Sequence, residues 1–367
     1  MKTITMKPVT IGLDIAKNVF QVHALDASGE VMRKRLPRSQ VAPFFAGLER
    51  CVVGIEACAT AHHWGRELAA LGHEVRLLPP SYVKPYVKRG KTDAADAEAI
   101  CEAATRPSMR FVPVKRLEDQ AVLTLHKVRD LLIKQRTMLI NALRGLSAEF
   151  GLVAPKGREA LPKLVAALDE AGEDRVPALA RPAFAALRAQ IAELDRRIYE
   201  VERAIVAWHN GNELSKLAAS AAGVGPITAT AVLASVGDMA RFRSGRHFAA
   251  WVGLVPRQTG TGGKVTLGPI SKMGNRYLRR LLVLGATSLL GRIKTPRTEQ
   301  MAWLKAVRER RSARVAAVAQ ANKTARILWA ILTTGVAYEP KPCPDPRITS
   351  ADRITSADVE APLAKAA

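Results

Sequence analysis

Apolar and polar positions follow three different patterns along the chain. Over the first ninety residues, short apolar runs alternate with turn signals. Val9 to Asp14 is one run, Val19 to Leu25 a second, and after the turn Asp26-Ala27-Ser28-Gly29 the stretch Glu30 to Leu36 alternates as a third. Runs of this length and period predict strands. Ser39 to Arg50 predicts a helix with Ser39 as its cap, and Val52 to Glu56 a buried strand. Thr60 to Leu71 predicts another helix, and Glu74 to Leu78 a strand stopped by Pro79-Pro80.

The middle of the chain changes period. Leu125, Val128, Leu132, Gln135, Leu139, Ala142 and Leu146 recur at steps of three and four, and so do Phe184, Leu187, Ile191, Leu194, Ile198, Val201, Ile205 and Trp208. Sustained a/d spacing predicts coiled-coil helices, paired either as an antiparallel arm or as a dimerisation element. Gln135 is the one polar residue in the first seam. Between the two runs, Pro155 to Pro182 predicts a shorter helix and breakers.

A third region begins near Leu214. Gly223-Val224-Gly225-Pro226 before an Ala/Val-rich helix has the form of the second half of a helix-hairpin-helix, whose exposed N–H groups suit a phosphate. A plain helix-helix turn has the same form. The last residues hold a tandem hexapeptide, Arg347 to Asp352 and Arg353 to Asp358, and predict disorder. The fold class is thus α/β plus α. Three hairpin-like strands followed by β-α-β-α give the order of a ribonuclease-H-like N-terminal domain at 1–112. A coiled-coil helical linker follows at 113–212, then a mainly helical C-terminal domain at 213–338 and a tail at 339–367.

Charge adds a partner to this picture. The chain has 367 residues with 56 Lys and Arg against 33 Asp and Glu, a net charge of +23. Arg241 to Arg314 alone holds 17 basic residues and two acids, Glu299 and Glu309. Such concentration predicts a nucleic-acid face, because neutralised phosphates release counterions. The four cysteines form no CxxC pair, the N-terminus has no long apolar core, and Leu281 to Leu290 is too short to span a bilayer. A cytoplasmic protein without a membrane partner is expected.

The candidate chemistry lies in carboxylates. Asp14 and Glu56 each end an apolar strand, and side chains at strand ends gather over one rim of an open sheet. Asp93 and Asp96 stand three apart, on one face of a helix. Four carboxylates packed together repel unless cations hold them, and hard divalent metals prefer such oxygen ligands. Taken singly each acid also suits a structural role; Asp93 could cap its helix. His62-His63 and His73 have no metal spacing, and Trp251, Trp303 and Trp329 sit in apolar contexts that predict core packing.

Gly12-Leu13-Asp14-Ile15-Ala16-Lys17, Gly54-Ile55-Glu56-Ala57 and Lys91-Thr92-Asp93-Ala94-Ala95-Asp96-Ala97 come first in the chain. Gly223-Val224-Gly225, Phe248 to Pro256 and Ile270 to Asn275 follow in that order. This ordered set, spanning roughly residues 9 to 338, resembles the DEDD insertion-sequence transposases related to Piv-type DNA invertases. The resemblance implies a RuvC-like domain using Asp14, Glu56, Asp93 and Asp96 on Mg²⁺. It also implies a C-terminal transposase domain and a structured noncoding bridge RNA that pairs with donor and target DNA. The family's second catalytic element is a serine in the glycine-containing loop after its GL-x-P motif, and here Thr261 stands at that position. Threonine keeps the hydroxyl nucleophile, while its methyl crowds in-line attack. Thr259 and Ser271 are alternative hydroxyls, Ser271 also suiting a helix N-cap.

Arg257, Lys264, Lys272, Arg276 and Arg279 are candidates to hold phosphates, with Gly223 and Gly225. The two catalytic elements lie far apart in sequence, so a composite site has to bring them together, within one chain or between subunits of a homo-oligomer. Two rival readings remain. One is a RuvC-like structure-specific nuclease with no covalent step, and the other a nucleic-acid-binding protein with a decayed site.

Overall fold

A computed structural model describes residues 7–87, 92–293 and 296–343. Lys91 and the repeated hexapeptide lie outside the described residues. The chain divides into two compact units, meeting between Gln120 and Ala121.

The N-terminal unit is built on a five-stranded sheet. Its strands are β1 (Pro8–Asp14), β2 (Val19–Asp26), β3 (Val31–Pro37), β4 (Val52–Glu56) and β5 (Glu74–Leu78). Their order is β3-β2-β1-β4-β5, antiparallel across β1, β2 and β3 and parallel from β1 to β4 to β5. The helices are α1 (Val41–Ala46), α2 (Ala61–Ala70), the single turn α3 (Pro80–Val83) and α4 (Asp93–Thr105). Apolar side chains of β1, β2 and β4 form the core with Phe45, Trp64 and Leu68. The helix expected over 39–50 is shorter. Ser39 falls inside a 3₁₀ turn, Arg38–Gln40, with no side-chain cap, and α1 stops at Gly47.

The second unit is helical. It holds α5 (Leu117–Ala148), which begins at the junction, α6 (Leu161–Glu170), α7 (Arg181–Asn210), α8 (Glu213–Ala218), α9 (Pro226–Val236) and α10 (Gly245–Val252). A hairpin of β6 (Pro256–Thr261) and β7 (Lys264–Ile270) follows, then α11 (Arg276–Arg292), α12 (Glu299–Arg310) and α13 (Ala313–Thr334). The core joins α9, α10, α11 and α13 around Phe248, Leu278 and Leu328. Among the described residues, no helix is long and apolar enough to cross a membrane.

The long helices α5 and α7 run antiparallel, since Arg129 pairs with Glu202 and Arg136 with Asp195. On α7 the expected seam is the buried one, with Phe184, Ile191, Ile198 and Ile205 each seven residues apart. On α5 it is displaced by one position. Val122, His126, Ile140, Leu143 and Ser147 are buried, with Arg129 and Arg136 between them on the same stripe. Val128, Leu131, Met138 and Leu146 are exposed, and so is Gln135. Apolarity alone selects the wrong line because the true seam carries polar residues whose partners lie on other helices.

His126 is a titratable group buried in this seam. Thr230 Oγ1 donates to the Pro226 carbonyl at 2.7 Å, so it accepts from His126 Nε2 at 3.0 Å, and Nδ1 accepts from the Tyr277 hydroxyl at 3.0 Å. The ring is therefore held neutral, and burial, with Arg129 nearby, pushes its pKa down to about 4. The unfolded chain binds this proton near pH ~6.5 and the native state resists it. The unit is thus expected to lose about 2 kcal/mol of stability between pH 7 and pH 5 through this group. Denaturant titrations of wild type and His126→Gln should show the slope in the first and a flatter line in the second.

Candidate functional site

Two register-matched glycines determine where the acids meet. Gly12 on β1 pairs laterally with Gly54 on the parallel neighbour β4. A Cβ at Gly12 would lie 2.1 Å from the Ala97 carbonyl oxygen and 2.4 Å from the Cys101 backbone nitrogen; one at Gly54 would lie 2.7 Å from the Ala104 Cβ. Helix α4 therefore rests directly on the sheet, with backbone where other strands carry side chains. Side chains two apart on a strand share a face, so Asp14 and Glu56 project on the α4 side at the strand ends. The N-terminus of α4 is capped by Thr92, whose hydroxyl accepts from the Ala95 N–H at 3.2 Å. Thr92, not Asp93, is the cap, which leaves Asp93 and Asp96 in the first turn.

The electrostatics register the convergence. Burial, then the charges of Asp96, Asp93 and Glu56, push the Asp14 carboxyl up to about 6, against one lowering contact from the Ile15 N–H. Burial and Asp96 also raise Glu56. All four groups are oxygen donors, the chemistry a hard divalent cation prefers. Among the described residues, no three His, Cys, Asp or Glu side chains are gathered closely enough to chelate a metal as they stand.

Arg35 shares this rim and carries no signal in the sequence. In the register, Asp14 lies opposite Gln21 and Gln21 opposite Arg35. Residues directly opposite in a ladder point to the same face, and Arg33, two residues along, reaches Glu98 of α4 at 3.2 Å on that face. Arg35 is exposed at the edge of the sheet. Only the register reveals it, because the exposed run Arg33-Lys34-Arg35 reads as an ordinary solvated edge.

In the helical unit, Thr261 ends β6 at the tip of the hairpin, opposite Lys264. Gly262 and Gly263 make the turn, both with positive φ, as a tight two-residue hairpin requires. Both strands are solvent-exposed almost throughout, including Arg257, Lys264, Val265 and Leu267. Lys272 and Arg276 are exposed beyond it. Arg279 is engaged elsewhere: its Nη1 donates to the carbonyls of Val252 at 2.8 Å and Met273 at 3.2 Å. Ser271 is not a cap. Asn275 caps α11 through the N–H groups of Tyr277 and Leu278. Gly223 is packed against Gly285 of α11, and together with Gly225, Arg129 and Arg292 it lines a cavity of about 480 Å³. Pro226 occupies the first position of α9 and offers no N–H there.

An acidic rim on a mixed sheet, followed by a basic helical unit, is the arrangement of a DNA-processing enzyme of the transposase class. Residues 11–149 match a DEDD-type transposase domain of the IS110 kind, and residues 215–302 match the transposase IS116/IS110/IS902 family. A "Probable family 20 transposase" of Pseudomonas aeruginosa is 49% identical over 332 residues, covering 90% of this chain and 98% of that protein. The transposase for insertion sequence element IS1111A of Coxiella burnetii is 43% identical, covering 91% and 92%. That for IS1328 of Yersinia enterocolitica is 38% identical, covering 89% and 98%. The chain belongs to this IS110/IS116 family of insertion-sequence transposases.

Proposed function

We propose that the chain cuts and exchanges DNA strands at the ends of its element, using the acidic rim of a RuvC-like unit and the hydroxyl of Thr261. The observation that carries this reading is the seating of α4 on Gly12 and Gly54, with Asp93 and Asp96 within electrostatic reach of Asp14 and Asp96 within reach of Glu56. Asp14, Glu56, Asp93 and Asp96 would hold Mg²⁺, their carboxylate oxygens being the donors such a cation prefers. When bound, the ion would supply charge stabilisation at the scissile phosphate. The Thr261 oxygen forms a bond to phosphorus, the bond to the leaving DNA oxygen breaks, and that oxygen takes up the proton. A DNA hydroxyl later reverses the phosphothreonine. Arg257, Lys264, Lys272 and Arg276 neutralise neighbouring phosphates.

The division into a catalytic part at 1–112, a helical part at 113–212 and a transposase part at 213–338 belongs to the same reading. The guide RNA is supported by the family resemblance and by the basic stretch Arg241 to Arg314. Self-association is supported by exposed Leu131 and Met138 on α5.

The experiment is adduct trapping on element-end DNA with a divalent metal. A covalent protein–DNA species is expected from wild type and none from Thr261→Ala. Cleavage by Thr261→Ala at the wild-type rate would replace this reading with metal-dependent hydrolysis, which the crowding methyl of Thr261 favours. RNA that co-purifies with the chain and pairs with the element's junctions tests the guide. At the rim, Arg35→Ala is expected to lower cleavage about 10- to 100-fold, as loss of one charged contact to phosphate would. Arg35→Lys should restore part of it, and an unchanged rate in single-turnover assays would remove Arg35 from the site.

A further inference from the structure

The helical unit carries a groove of about 1040 Å³ between α10, α12, α13 and the base of the hairpin. That is at the upper end of small-molecule pockets, roughly 300–1,000 Å³, and suits an extended ligand. Its floor is carbon: Leu254, Val318 and Ile327. Its cations are Arg246, Lys323 and Arg326, and no Asp or Glu lines it. None of the three makes an ion pair with a carboxylate among the described residues. Lys323 Nζ lies 4.5 Å from the centre of the Trp303 ring. Trp303 is 36% exposed on the groove wall and is not core as its apolar context predicts. Pro256 and Ile270, the paired residues at the foot of the Thr261 hairpin, border the groove.

An apolar floor with three cations and no acid calls for a ligand that is both anionic and flat-faced. A duplex presents phosphates but hides its base faces, which would leave the floor empty. An unpaired strand offers both, with bases against Trp303 and the floor and phosphates on the cations. Deoxyribose and the thymine methyl suit the carbon of Leu254, Val318 and Ile327, whereas the uncharged polar side chains a ribose hydroxyl would meet, Ser244 and Asn322, are already engaged with the His247 N–H and the Leu254 carbonyl. We propose that this groove binds an unpaired DNA strand at the foot of the hairpin. The inference rests on the reading of the chain as a DNA-cutting enzyme, but it concerns binding and is measured without cleavage.

The test uses the full chain carrying Asp14→Asn, so that nothing is cut, and a fluorescein-labelled oligothymidylate as probe. Arg246→Ala with Arg326→Ala is expected to weaken oligothymidylate binding about 10-fold or more. It should also reduce the slope of log affinity against log salt by about 1.4, two single-strand phosphate contacts. Binding to duplex should be unchanged. Trp303→Leu should weaken strand binding with the slope intact, and the Arg→Lys pair should keep the slope. Photocrosslinking of an iododeoxyuridine strand should map to α12. Unchanged affinity and slope in a double variant that melts like its parent would overturn the proposal. So would equal losses for strand and duplex, or tighter binding of oligouridylate, which would make RNA the occupant. Failure of adduct trapping with these shifts intact would remove the catalytic reading and leave the groove standing.

Discussion

An Asp14→Asn variant is expected to lose strand cleavage by roughly a thousandfold while gaining stability at neutral pH. The folded carboxyl titrates at about 6, above the ~3.9 of a free aspartate. The native state therefore holds this proton more tightly than the unfolded chain. Stability falls as pH rises from about 4 to about 6, and the penalty persists above that. The whole shift would amount to about 3 kcal/mol, and solvent screening of a half-buried group reduces it to about 1–2 kcal/mol. Asparagine removes that charge, so the variant should melt a few degrees higher at pH 7.5 and together with wild type at pH 4. Millimolar Mg²⁺ should raise wild type further and leave the variant nearly unmoved. Wild-type cleavage by the variant would take the acidic rim out of the chemistry.

Gly12→Ala should damage both fold and activity, and more severely than Gly54→Ala. At Gly12 the new methyl meets α4 backbone at 2.1 and 2.4 Å, which can relieve the clash only by moving the helix. At Gly54 the nearest contact is longer, the Ala104 Cβ at 2.7 Å, and the Ile100 Cγ2 and carbonyl oxygen lie at 3.3 Å, so a smaller displacement of the helix suffices. Overpacking of this kind costs about 1–3 kcal/mol, and Gly12→Ala belongs at the upper end. Lifting α4 also withdraws Asp93 and Asp96, so cleavage should fall by a factor larger than the lost folded fraction explains. Denaturant melts paired with single-turnover cleavage separate the two effects. Equal damage at both glycines would mean that α4 is not the rigid partner.

These glycines also show how far the sequence could be read. Strands β4 and β5 were legible to the residue, because each is an apolar run closed by an acid or by prolines. Asp14 and Glu56 were legible as a pair for the same reason. What puts Asp93 and Asp96 beside them is an absence of side chains at Gly12 and Gly54, which only the register turns into a seat for α4. The seam of α5 was displaced because His126, Arg129 and Arg136 occupy buried positions that apolar counting passes over. Arg35 was invisible because an edge strand loses its alternation.

The polar seam of α5 and α7 has a consequence for how the chain finds its register. Two apolar helices with a seven-residue repeat can slide past one another by a full repeat with little loss of packing. Here Arg129 meets Glu202 and Arg136 meets Asp195, with the two arginine side chains only 16% and 15% exposed. Sliding one way sets Arg136 against Arg188, and sliding the other way sets Arg129 against His209. Either slip leaves one largely buried guanidinium without its carboxylate, facing a second guanidinium in the first case and a neutral imidazole in the second, a mismatch costing several kcal/mol. The pair works as a keyed joint with one setting.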